Sequence, residues 1–275
     1  MGWTCKSIQE VRDNPPSQHP FCSLPGVTSK NVAHDVLHVL LTKGVLAHLL
    51  GGVLHALVYE GPGRQATPPS ERLAVIFDLI QKFYKENNTS TRLVNLKLSM
   101  FLADVGSPHA NRPFLGTKGG ETKHLLPAIL WVLRKLNDSS EYHLRMIACM
   151  KAIHTFIQIL DEADFVPTSV QADLLEEKCF AFLGHYAWLN HFAESQNTLL
   201  FHIVPKFHML CHLALSARYL NPRVHWCFKA EDFVGKISKC ALSVACGSKS
   251  TKHSVKLATK YRYLLHFRLT RGDAE

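Results

Sequence analysis

Asp35 and His38 stand three residues apart, so on a helix they share one face, a carboxylate beside an imidazole. Glu231 and Asp232 follow Trp226-Cys227-Phe228 in the most basic part of the chain. A carboxylate among Lys229, Lys236 and Lys239 has the chemistry to hold a divalent cation against a phosphate backbone; the plainer expectation is a helix-start acid that offsets nearby lysines. His208 and His212, at i and i+4, also share a helix face, as two-histidine metal sites require. No Glu follows His208 and there is no CxxC pair, so buried or hydrogen-bonded histidines are expected there. Gly61-Pro62-Gly63 and Gly116-Thr117-Lys118-Gly119-Gly120 match no phosphate-binding loop, and no nucleophile elbow is present.

The charge is unevenly placed. Of the 31 basic and 22 acidic residues, 18 of each fall in residues 1–201, whereas residues 202–275 hold 13 basic and 4 acidic. The whole net charge of +9 therefore belongs to the last quarter of the chain, which points to a local anionic partner. Lys252, Lys256 and Lys260 recur every four residues and form one helical stripe, with Val255, Ala258 and Leu265 expected on the other face. Joined by Lys236, Lys239, Arg262, Arg268 and Arg271, that stripe suits sequence-independent phosphate contacts.

Helices must position these groups. An apolar fraction of 47% and a charged fraction of 19% describe a globular chain. Residues 1–30, with four prolines, read as an extended lead-in. A helical run opens at Asp35 and is expected to break near Gly51-Gly52. Residues 36–58 have the length of a membrane span but contain Lys43 and three histidines, so a pair of core helices is expected and no span. After a loop at 60–70, Ser70 is the expected cap of an amphipathic helix carrying Leu73, Ile76, Phe77, Ile80, Phe83 and Tyr84 at 3-4 spacing. Further helices are expected at 125–136 and 143–160, and a long one capped by Ser169. Residues 224–228 suit a short strand; helix is expected again from Glu231 and from Ser250. The expected architecture is mainly α, a helical block over 31–200 followed by a basic helical segment over 201–275 on the same core, with at most one or two short strands.

Eight cysteines are too sparse for a disulfide scaffold, and the first residues lack the apolar core of an export signal. The expected location is the nucleus or cytoplasm.

The string Phe21-Cys22-Ser23-Leu24-Pro25-Gly26-Val27, then Asp35-Val36-Leu37-His38, resembles the D-x-x-H segment of eukaryotic cut-and-paste transposases of the CACTA, Plavaka and KDZ kind. Their plan continues in Pro205-Lys206-Phe207-His208 to His212, and in Trp226 to Glu231 before a basic helix. The resemblance implies an RNase H-like catalytic core interrupted by a helical insertion, here residues 60–200, with Glu231 as the last acid of a DDE triad. Asp35 is either the second catalytic acid or the D of the separate D-x-x-H signature, which is preferred. Glu231, Asp35 and His38 are then the implied cation-holding residues, and Mg²⁺ the implied cofactor of a competent enzyme. Nothing before Asp35 supplies both remaining aspartates; Asp13, ahead of Asn14-Pro15-Pro16, makes a poor strand aspartate. The resemblance therefore implies a transposase-derived chain, inactive alone, that binds DNA non-specifically through its basic segment, with a homo-oligomer as a further expectation. The rival expectation is a non-enzymatic helical interaction protein whose basic tail docks an acidic protein or a membrane surface.

Overall fold

A computed structural model describes residues 33–60, 67–136, 138–245 and 252–271, the side chains of Asp232, Ala245, Arg268, Leu269 and Arg271 excepted. The lead-in, Asp13 and the Phe21–Val27 string lie outside the described residues. All the elements below belong to the compact unit Asp35–Glu275.

A π-helical turn at Leu37–Leu41 leads into α1 (Val45–Tyr59), α2 (Pro69–Glu86), α3 (Gly119–Lys135), α4 (Glu141–Glu162), α5 (Ser169–Ser195), α6 (Pro205–Ser216), α7 (Phe228–Ala245) and α8 (His253–Arg271). The fold is mainly α, and no β-strand occurs among the described residues. The expected strand at 224–228 is instead a 3-10 turn, Pro222–His225, running into α7. Pro222 fixes its own φ in the helical range, and Asn221 Oδ1 accepts from the Arg223 amide, so the chain curls here.

Every residue of α1 except His48 is buried, which makes it the central helix of the core. Leu37–Tyr59 is the one stretch among the described residues long and apolar enough to cross a membrane, and most of it is enclosed by the other helices. It does not break at Gly51-Gly52. The break falls at Thr42–Gly44, where Lys43 takes a positive φ of 52°. Gly51 and Gly52 are contact points inside α1: a Cβ on Gly51 would lie 2.8 Å from the backbone of Pro113 and Phe114, and one on Gly52 2.8 Å from the Phe201 ring.

Around α1 the helices α2 to α6 close the core, with α4 against α5 the most extensive pairing and α6 packed on α5 and the π-helical turn. The apolar stripe of α2 is as its spacing predicts: Leu73, Ile76, Ile80 and Tyr84 are buried, with Phe77 and Phe83 packed against the core. Helix starts differ by a residue or more. Pro68 and Pro69 begin α2 ahead of Ser70, Thr168 rather than Ser169 caps α5, and α3 starts at Gly119, where Glu121 accepts from the Lys118 amide. The outlying pair α7 and α8 pack chiefly on one another.

Candidate metal centre

Two distant segments meet at the site. Asp35 begins the π-helical turn, where its carboxylate accepts from the amides of Leu37 through Oδ1 (3.0 Å) and His38 through Oδ2 (3.3 Å). These are donors that a helix start leaves unpaired. The turn then places His38 Nδ1 against Asp35 Oδ2.

The second segment is fixed from the core outward. Buried Asn221 donates through Nδ2 to the carbonyls of Leu160, Ala163 and Asp164, pinning the 3-10 turn to the C-terminal end of α4. Lys123, paired with Asp161 at 2.6 Å, lies over the Trp226 ring at 5.1 Å, and the Arg223 guanidinium approaches the same ring at 5.5 Å. Held there, Trp226 delivers Cys227, whose amide donates to Asp35 Oδ1 (3.2 Å) and whose thiol donates to Asp35 Oδ2 (2.9 Å). One turn into α7, Glu231 Oε1 lies 2.6 Å from His38 Nε2.

Burial alone would raise the Asp35 pKa, yet the hydrogen bonds from Cys227, His38 and the amides hold it below the ordinary carboxylate value. Burial and the adjoining Asp35 carboxylate push the Cys227 thiol up to about 11. Lys206, at the start of α6, completes the electrostatics. Its ammonium donates to the Lys43 carbonyl at 2.7 Å, and its pKa is lowered by burial and by Lys43 against the opposing charge of Asp35.

Three expected site residues thus converge: Asp35, His38 and Glu231, with the two carboxylates separated by one imidazole. Cys227 was not among the expected residues. Its only signal in sequence is that it stands four residues before Glu231, hence on the same face of a helix. His208 and His212 face one another at 3.0 Å between their Nε2 atoms on the exposed side of α6. Lys236, Lys239, Lys256, Lys260 and Arg262 are exposed on α7 and α8, and Lys252 is exposed just before α8; Arg268 lies in α8 with its side chain outside the description. The face of α8 turned inward differs from the expected one. His253, Leu257 and Tyr261 are half-buried there, while Val255 and Leu265 are exposed, and Lys260 donates to Ser243 Oγ at 2.6 Å.

Mg²⁺ prefers an all-oxygen shell, and a magnesium pair calls for carboxylates arranged around both ions. Here the two acids occupy opposite nitrogens of one ring and the remaining donor is a thiol, so these residues do not fit a magnesium pair. No known protein-family model, curated protein or solved structure matches this chain.

Proposed function

We propose that this chain is a transposase-derived protein that binds duplex DNA non-specifically through α7 and α8 and does not itself cut it. The observation that carries the reading is the charge on that helical pair: Lys236, Lys239, Lys252, Lys256, Lys260 and Arg262 are all exposed, and the sequence has no acid between Asp232 and Asp273. A duplex offers such a surface a dense row of phosphates, and release of condensed counterions drives the binding. The meeting of Asp35, His38 and Glu231 across about 190 residues supports the reading, since these are the residues that the resemblance implies would hold a cation together. The two carboxylates that do meet, Asp35 and Glu231, stand on opposite nitrogens of one imidazole rather than around a pair of ions, which supports inactivity.

Fluorescence anisotropy with a labelled duplex tests this. Six or so phosphate contacts should lower affinity by about a thousandfold between 50 and 200 mM salt, equally for unrelated sequences. Replacing Lys252, Lys256 and Lys260 with Ala should reduce the slope of log K against log salt by about 3. A change of twofold or less over that range rejects DNA binding. A second reading is favoured by one observation: Val255, Tyr263 and Phe267 are exposed beside Lys256 and Lys260, lining a groove of about 610 Å³. An acidic protein surface with apolar side chains would use both features, and binding to such a surface without salt-dependent DNA binding would select it.

A further inference from the structure

We propose that Asp35 Oδ2, His38 Nδ1 and Cys227 Sγ bind a single zinc-class divalent ion, with Glu231 fixing His38 from the far side of its ring.

Three donor atoms of different chemistry meet here. His38 Nδ1 faces Asp35 Oδ2, Cys227 Sγ lies 2.9 Å from Oδ2 and 3.6 Å from Nδ1, and all three lie within 4.8 Å of one another. On the far side of the ring His38 Nε2 lies 2.6 Å from Glu231 Oε1, a carboxylate that only accepts, so an Nε2–H donated to Glu231 leaves the Nδ1 lone pair to a metal ion. The thiol proton now donated to Oδ2 is what the ion would replace, which makes Sγ the third corner.

One edge already has the spacing of a zinc centre. Tetrahedral zinc with Zn–S of about 2.3 Å and Zn–N of about 2.0 Å sets the sulfur and nitrogen about 3.6 Å apart. Cys227 Sγ and His38 Nδ1 are 3.6 Å apart. The other two edges are shorter: Oδ2 lies 2.9 Å from Sγ and closer still to Nδ1, so the Asp35 carboxylate must swing outward from both by about 1 Å to reach its own corner. A mixed sulfur, nitrogen and oxygen set selects zinc over magnesium or calcium. The contact from Glu231 to Nε2–H is the outer carboxylate that metal-bound histidines characteristically have, which makes Glu231 a positioning residue. His38 and Asp35 keep 45% and 24% of their side-chain surface exposed, so the fourth position is open to water or a ligand. When zinc enters, the Cys227 proton leaves to solvent and the thiolate takes the metal. Zinc binding here is independent of whether α7 and α8 hold DNA.

Metal-stripped full-length chain titrated with Co²⁺ provides the test. One equivalent should bind with a sulfur-to-cobalt charge-transfer band in the near ultraviolet, and one equivalent of Zn²⁺ should displace it. Cys227→Ser should abolish the band, Asp35→Asn and His38→Gln should weaken binding at least about tenfold, and Glu231→Gln should weaken it about 10–100-fold while keeping the band. Cys227→Asp, which replaces sulfur with a carboxylate, should retain Zn²⁺ without the band and guards against misfolding of the serine variant. Failure of the wild-type chain to take up one Co²⁺ with a thiolate band overturns the proposal without any variant. So does a band that survives Cys227→Ser in a folded protein, or one lost on His208→Ala/His212→Ala instead.

Discussion

Asp35 starts a helical turn, holds the amide that begins the α7 segment and faces His38, all with one carboxylate. Its pairing with His38 was legible because three-residue spacing on a helix forces proximity. Cys227 was not, because it comes from 192 residues away and the packing of Trp226 and Asn221 sets its position. The same limit applied to His48, an ordinary member of an apolar run in sequence. In the structure burial, aided by His202 and Lys206, depresses its pKa from 6.5 to about 4, with Phe114 against its ring. The folded chain thus binds fewer protons at this position than the unfolded one between those two values. Stability present above pH 6.5 should fall as pH drops towards 4, by about 1–2 kcal/mol after allowance for partial exposure. Urea unfolding at pH 7.5 and pH 5 should show a smaller acid loss for His48→Leu than for wild type. His124, His154, His185 and His202 shift in the same direction, so the loss should shrink without vanishing. Parallel losses would show that His48 does not carry the effect.

At the scale of elements, helix periodicity read α2, α4 and α5 correctly to within a few residues, since each has a stripe of large apolar side chains. It misplaced the break in the first apolar run. Glycine pairs usually interrupt helices, but here the helix gains more from close approach than it loses in backbone entropy. The true break came from Lys43 entering the left-handed region after a π-turn, which no composition rule announces. Two substitutions separate propensity from packing. Gly51→Ala would put its Cβ against the Pro113–Phe114 backbone and should destabilise by about 2 kcal/mol or more. Gly184→Ala, in α5 with nothing within 4 Å, should stabilise by up to about 1 kcal/mol. Thermal or urea denaturation of the two variants should move in opposite directions; a neutral or stabilising Gly51→Ala would mean the 113–114 segment yields easily.

Across the described residues, charge and packing divide close together but not at one point. The basic last quarter begins with α6, which packs on the core with α1 to α5, and ends in α7 and α8, which bury little against it. Composition along the sequence revealed the charge division. It could not reveal which face of α8 turns inward, because Val255 and Leu265 are as apolar as Leu257, and only contact with α7 decides. Exposed Val234, Leu242, Val255, Tyr263 and Phe267 show that this pair is not built to strengthen the core. Removing residues 250–275 should therefore leave the main unfolding transition within about 3 °C of wild type, because the helices around α1 keep their contacts. The same truncation deletes Lys252, Lys256, Lys260 and Arg262 and should abolish salt-dependent duplex binding, while one equivalent of Co²⁺ still binds through Asp35, His38 and Cys227. Calorimetry, anisotropy and cobalt absorption on that single truncated chain read the three effects separately. A large fall in Tm would make α8 part of the cooperative core, and DNA binding that persists unchanged would move the phosphate contacts off α8.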